Sequence, residues 1–517
     1  MKHYHLSATM KLCLLAVASS TLLFTSCAQD GFDDETFVGT YSGYPLGNPD
    51  PEAITVKASS DKLSQTITWP AVNGAGTYTV TVYMGENYEN LVIDKQVVKV
   101  NYITIPRIDK TFYRISILVN DNIPEGNTGS TAPTDYDWDT FTINVATIPT
   151  GENLNSWFKA NPTPVSYMGS DITYTLEAGG QYTLTDSLNF SGYILTIAGA
   201  DEANRPTITI ATADKEDGTS SVGCIATSCA LSLKNLKIDC AALPYSSTNA
   251  PIAMSKNPDP SIKGKVGTQT TYYNITDGGI YISNCDIDNV NGMLFFDNSI
   301  TYCIETFTLE NSRVHFTTPA GNKANVAYIY TPGGFIKDLI IRNSTLYNTG
   351  EGYLQYVIRY NNSGRLDRAG YVRSNGETLN DLDNITFNNS TFYNIGYGWF
   401  ANWAAFAGQP DTAFDIQNNI FCEAGFGGSG VARRLCAGRP ATSYVWKCIF
   451  SNNTYWTKGA AEKEGAPEED PENPHQYDTS HSALQTDPAF RDPANGDLTP
   501  TGSEQVAKKT GDPYWFK

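Results

Sequence analysis

Seven stretches of the chain share one pattern of apolar and polar positions, centred on Asn235, Asn284, Asn311, Asn343, Asn389, Asn418 and Asn452. Two residues before each Asn stands Leu233, Ile282, Leu309, Ile341, Phe387, Ile416 or Phe450. Four before it stands Leu231, Ile280, Phe307, Leu339, Ile385, Phe414 or Cys448. Three after it stands Ile238, Ile287, Val314, Leu346, Phe392, Phe421 or Tyr455. The period of two on each side reads as strand, corner, strand. Asn accepts the left-handed backbone of a tight corner, and stacked Asn amides can bond to one another. Successive Asn lie 27 to 49 residues apart, one coil of chain plus a loop of uneven length. Such repetition predicts a solenoid, here a parallel β-helix over residues 161–510.

The same register makes the column four residues after each Asn face outward: Asp239, Asp288, His315, Tyr347, Tyr393, Cys422 and Trp456. Its aromatic members are either a sugar-stacking row or a surface buried beneath loops. Gly-bearing turns follow at 289–292, 348–352 and 394–398. Each leads into a further strand, at 293–297, 355–360 and 399–403.

Between residues 51 and 148 the pattern changes to short alternating strands at 66–69, 78–83, 97–100, 112–119 and 141–145. Their spacing predicts a β-sandwich. Trp69 on an early strand and Tyr113 at the start of a late one resemble the core Trp and corner Tyr of fibronectin type III domains. The resemblance implies a spacer role. The other use of Trp69 is a carbohydrate platform, but a Trp alternating with apolar partners favours the core. Residues 27–50 read as a tether and 149–160 as a linker. The expected fold class is all-β, an N-terminal β-sandwich followed by a right-handed parallel β-helix.

At 517 residues the chain accommodates both parts, with 31 Tyr and only 6 Met. The first 26 residues read as a signal peptide: Lys2 and Lys11, then an apolar run from Leu12 to Phe24 too short for a permanent span. The segment Leu23-Phe24-Thr25-Ser26-Cys27 resembles a bacterial lipobox, with Phe24 in place of the usual Leu. Cys27 is therefore the expected lipidation site. The acidic residues Asp30, Asp33, Asp34 and Glu35 that follow resemble the surface-export signal of Bacteroidetes lipoproteins. The implied location is the outer membrane, lipid-anchored and exposed to the exterior.

Loss of Lys2 and Lys11 takes the net charge from −19 to near −21. That surface repels nucleic acid, and a polyanionic glycan would need a local basic patch. Such a patch is present. The stretch 353–375 carries Arg359, Arg365, Arg368 and Arg373 against the single acid Asp367, and the next long loop brings Arg433, Arg434 and Arg439. Arg grips carboxylates bidentately, as uronic acids require. Tyr353, Tyr356, Tyr360, Tyr371, Trp399 and Trp403 interleave with it and have flat faces on which sugars can stack. The candidate ligand contacts are Arg359, Arg365, Arg373, Tyr360, Trp399, Trp403, Arg433 and Arg434. The alternative is a set of Arg residues paired with nearby Asp on a solvated loop.

Other chemistry is weaker. Asp286, Asp288 and Asp297 are a candidate Ca²⁺ set, and no other cofactor is expected. Only His315, His475 and His481 follow Cys27, none in a triad-like context. The string Gly425 to Gly430 fits a dinucleotide-binding pattern but lacks a strand–turn–helix setting. The acidic, Pro-rich run 462–478 reads as a solvated excursion. Eight cysteines follow Cys27, and Cys285 and Cys448 fall in the apolar columns as buried thiols.

The ending Asp487-Pro-Ala-Phe-Arg-Asp-Pro-Ala-Asn-Gly-Asp-Leu498 resembles that of bacterial right-handed β-helix proteins of the pectate-lyase-like class. With the lipobox and the sandwich, the whole resembles surface lipoproteins of Bacteroidetes glycan-utilisation loci. This implies a surface-anchored polysaccharide-binding protein for acidic glycans. A polysaccharide lyase acting by β-elimination is the alternative, and a structural or adhesive protein a third. A lyase needs a base and a positive charge beside the carboxylate. The motifs of the best-known pectate lyases are missing: Trp138-Asp139 lies in the wrong domain and Arg439-Pro440 lacks the spacing. Arg359 and Arg365 are candidate bases by position alone.

Overall fold

A computed structural model describes residues 45–58, 64–108, 110–122, 126–266, 270–275, 279–360, 371–372, 378–379, 383–402, 412–426, 431, 447–458, 460–461, 478, 480–484 and 486–517. The chain divides into two compact units, Met1–Phe141 and Thr142–Lys517. Cys27 and the signal segment lie outside the described residues, as do Gly427 to Gly430 and most of 462–478.

In the first unit, alternation builds two antiparallel sheets. One holds Thr55–Ala58, Ser64–Thr68 and Tyr102–Pro106; the other runs Asn90–Val98, Thr77–Met84, Phe112–Asn120, Thr134–Asp139. Every second residue turns inward, giving a core of Ile67, Val80, Val82, Ile103, Ile105, Ile115, Ile117 and Val119. Trp69 is 1% exposed and meets Tyr78 edge-on at 5.5 Å, so it is core and not a sugar platform. The buried Tyr113 hydroxyl accepts the Ile108 N–H at 2.9 Å, tying the strand to the chain just upstream. The described end of the expected tether belongs to the sandwich: Leu46 N–H donates to the Thr128 carbonyl, and Pro49 O accepts from Thr134 Oγ1.

The second unit is a parallel β-helix of three sheets, and it begins earlier than expected. Sheet I has ten parallel strands, from Ile143–Ile148 to Lys447–Ser451. Sheet II runs from Gln181–Leu184 to Thr454–Thr457, and sheet III from Ser187–Phe190 to Trp399–Asn402. The strand expected to close the sandwich, Ile143–Ile148, pairs in parallel with Asp171–Leu176 instead. The reason lies in its end: Ile148 is fully buried, and its carbonyl accepts the Tyr182 hydroxyl of the next coil at 2.7 Å. The expected linker contains a helix, Leu154–Ala160, N-capped by the Asn153 side chain. Its Phe158 ring packs 4.8 Å from Tyr174 and 5.2 Å from Phe190, covering the first coil. A solenoid end that leaves apolar core open to water needs such a cap.

The register matches the Asn template residue for residue. Leu233, Ile282, Leu309, Ile341, Phe387, Ile416 and Phe450 are successive partners across sheet I. Ile238, Ile287, Val314, Leu346, Phe392, Phe421 and Tyr455 are successive partners across sheet II. All but Phe450 are buried. All seven Asn are left-handed, with φ between 47° and 57°. Three amide contacts form along the stack: Asn284 to Asn235 at 2.8 Å, Asn343 to Asn311 at 3.2 Å and Asn452 to Asn418 at 3.3 Å. A second left-handed corner, at Asn289 and Asn394, precedes the turn of the chain from sheet II to sheet III. Cys224, Cys229, Cys240, Cys285 and Cys422 are free thiols, and Cys240, Cys285 and Cys422 are buried.

Candidate functional site

Three neighbouring strands of sheet III, Gly321–Thr331, Gly352–Tyr360 and Trp399–Asn402, carry the aromatic and cationic side chains that the sequence singles out. Their register sets Tyr330 beside Arg359 beside Asn402, and Ala327 beside Tyr356 beside Trp399. Between these rows Ile329, Ile358 and Ala401 point into the core. The Arg359 guanidinium lies 5.6 Å from the Tyr330 ring centroid and 5.3 Å from that of Tyr356. Both contacts fall within the reach of cation–π attraction. Burial raises the Tyr330 phenol above its ordinary range, so that ring stays a neutral partner at ordinary pH.

A bulge holds Arg359 in place. The pairing of the first two strands slips between Lys323 and Ala327, and Asn325 there takes φ 63°. Asn325 gives its N–H to Gln355 Oε1 at 2.6 Å, and its carbonyl accepts Arg359 Nη1 at 2.5 Å. No described carboxylate pairs with Arg359. Beside it Trp399 is 40% exposed, and Phe296 extends the aromatic row by stacking on Tyr330 at 5.9 Å. Tyr353 takes no flat outward pose: its hydroxyl donates to Asn394 Oδ1 and its ring meets Phe426 edge-on.

Tyr360 is not a ligand contact. It lies two residues beyond Ile358 on the same strand, shares its inward face and is fully buried. Of the expected contacts, the described fold therefore brings together Arg359 and Trp399, through Tyr356 from the interleaved aromatics. Arg365, Arg373, Trp403, Arg433 and Arg434 lie outside the described residues.

The outward column of sheet II is covered. The C-terminal segment runs back over it, placing Phe490 edge-on against Tyr393 at 5.4 Å. Gly496 sits so close to Tyr347 that a methyl group there would approach its hydroxyl to 3.0 Å. Tyr347 stacks on His315 at 4.6 Å, and burial pushes the Tyr347 phenol up to about 12. Cys422 is buried. These aromatics are packing, not a sugar-stacking row. His315 Nε2 lies 2.7 Å from Thr349 Oγ1 and Nδ1 lies 3.9 Å from Asp288; burial lowers the imidazole pKa.

The Ca²⁺ candidates do not converge. Asp286 bridges Arg205 and Arg313 on sheet II. Asp297 is buried after the sheet III strand, where it accepts N–H groups from Ser299, Gly333 and Gly334 at 2.8–2.9 Å. Among the described residues no three His, Cys, Asp or Glu side chains gather as a metal site.

Three domain families of unknown function match parts of the chain: DUF4992 over residues 1–180, DUF4957 over 180–349 and DUF5123 over 385–515. No curated protein matches. Among solved structures, the chain is similar to pectate lyase PelI from Erwinia chrysanthemi, crystallised in complex with tetragalacturonic acid. That match has 10% identity and a TM-score of 0.18, over 66% of this chain and 84% of that chain.

Proposed function

We propose that the protein binds acidic, uronic-acid-containing polysaccharide on the outer face of sheet III, as a lipoprotein anchored through Cys27 to the exterior of the outer membrane. The observation that carries this reading is Arg359. It is a cation framed by Tyr330 and Tyr356, engaged by a backbone carbonyl and by no described carboxylate. A guanidinium held in this way keeps donors for a sugar carboxylate, while the exposed face of Trp399 suits an apolar sugar face. The surrounding net charge of −19 makes a local cation more selective, because anionic chains are repelled elsewhere.

Affinity gel electrophoresis with polygalacturonate, and with an uncharged galactan as control, tests the reading. The acidic polymer alone should retard the protein, less so as salt rises. Arg359→Ala should lose most of the retardation. Equal migration in both gels would remove the acidic-glycan reading. Accumulation of unsaturated uronide during the run would replace binding by a lyase reaction.

A further inference from the structure

We propose that residues 503–517 form an acid-tightened strap, which latches over the outer face of sheet II and loosens when the Asp512 side chain ionises. The segment crosses the coils one after another. Gln505 Nε2 donates to Thr454 Oγ1 at 3.1 Å, and Lys508 Nζ to Asn452 Oδ1 at 2.9 Å. Gly511 N–H donates to the Asn418 carbonyl at 2.7 Å, and Asp512 N–H to Thr391 Oγ1 at 3.1 Å. Thr345 Oγ1 donates to Asp512 Oδ2 at 2.7 Å and accepts Trp515 Nε1 at 2.8 Å. Finally the Tyr514 ring lies 3.8 Å from the Arg313 guanidinium. The hold is a series of single, mostly uncharged hydrogen bonds, each of which contributes little net stability by itself. A strap built in this way can open without unfolding the coils beneath it.

Asp512 is the centre of the hold, because its carboxylate bonds Thr345 on sheet II directly. It is 2% exposed, and its carboxyl accepts from two neutral donors, the Thr345 hydroxyl and the Tyr514 N–H. The charged groups that act on it are Lys517 on the strap and Arg313 on sheet II, while Asp286 and Asp288 act on Tyr347. Arg313 is engaged by Asp286 and offsets the buried charge only in part, so desolvation outweighs it. Burial pushes the Asp512 carboxyl up to about 6. Once the strap lifts, the group returns to the ordinary carboxylate range. The docked form therefore holds the proton more tightly, and docking is strongest below pH ~4. It weakens as pH rises through ~6, by roughly a hundredfold in all.

Hydrogen exchange on the full chain at pH 5 and pH 8, corrected for intrinsic rates, reads this directly. Amides of 511–515 should lose protection at pH 8 relative to the inward strands of sheet I. Asp512→Asn cannot ionise and keeps a carbonyl acceptor, so its strap should show no such step. Gly511→Ala supplies an independent release: Gly511 has φ 100°, and an added methyl would come within 2.8 Å of Thr391 Oγ1. That variant should expose the strap at both pH values. Tail protection that follows sheet I at both pH values in the wild type would overturn the proposal, and so would an Asp512→Asn strap that keeps the full pH step.

Discussion

The Arg359 guanidinium lies 5.6 Å from the ring centroid of Tyr330, its neighbour one coil earlier in the same row of sheet III. One coil rise, ~4.8 Å, separates such neighbours, so a side chain of one coil routinely rests on that of the next. A cation resting on a ring is fixed in position yet keeps its hydrogen-bond donors, which an ion pair would occupy.

Arg359→Lys tests the planar fork. An ammonium keeps the charge but loses bidentate recognition, and it no longer spans two rings and the Asn325 carbonyl. Binding to polygalacturonate should weaken several-fold in Arg359→Lys and further in Arg359→Ala, with the salt dependence kept in the first and lost in the second. Trp399→Ala should weaken binding without changing the salt slope, since stacking is not screened. Isothermal titration at two salt concentrations separates the three variants. Identical salt slopes for wild type and Arg359→Ala would mean that the charge lies elsewhere.

Neighbouring residues of one strand should respond in opposite ways. Ile238 is buried in the sheet II core column and Lys237 beside it is exposed. Ile238→Asp buries an unpaired charge and should cost about 3–5 kcal/mol. Lys237→Ser should stay within ~0.5 kcal/mol. Urea unfolding of both variants checks this, and equal losses would contradict the register. Tyr347, although outward, is no neutral control: it sits under the C-terminal segment and against His315.

The helix was legible in the sequence because its constraints are local. Asn343, for example, stands between Ile341 and Leu346, and corner, strand faces and neighbour pairs all follow from that spacing. Tyr347 and Tyr393 were not legible. The chain that covers them lies far along the sequence, at Gly496 for Tyr347 and Phe490 for Tyr393, and no periodicity encodes it. The stretch 141–145 alternates well enough for a sandwich strand; the parallel pairing of Ile143–Ile148 with Asp171–Leu176 and the Tyr182 hydroxyl on the Ile148 carbonyl put it in the helix instead. The second corner, at Asn289 and Asn394, coincides with Gly-bearing turns, which hid it. At the site, the excess of Arg pointed to Arg359, but the bulge at Asn325 that holds it has no short-range signature.

Corner Asn residues have two separable roles, which Asn343 distinguishes. Its φ of 47° costs a β-carbon residue about 1–2 kcal/mol, and its amide bonds to Asn311 at 3.2 Å. Asn343→Ala should lose about that much stability. Asn343→Gly relieves the backbone and loses only the amide contact, so it should recover most of the loss. Thermal unfolding of the pair measures the split. An Asn343→Gly variant no better than Asn343→Ala would assign the stability to the amide stack.

Asp297 should make the β-helix less stable as pH rises. It is fully buried, its two oxygens accept three backbone N–H groups, and no described cation pairs with it. Desolvation outweighs those bonds and pushes its carboxyl up to about 7. In the unfolded chain it titrates near 4, so between pH ~4 and ~7 the folded state holds a proton that the unfolded state has released. The stability attached to that proton is complete below pH ~4, falls across this window and is gone above pH ~7, a few kcal/mol in total. Asp297→Asn removes the titration but turns an amide N–H₂ toward backbone donors. That variant should be less stable than the wild type at pH 5, with a flatter pH profile up to pH 7. Chemical denaturation at pH 4, 5.5 and 7 gives both quantities. A wild-type profile as flat as that of Asp297→Asn would show that the backbone donors, not desolvation, set the charge state of this carboxyl.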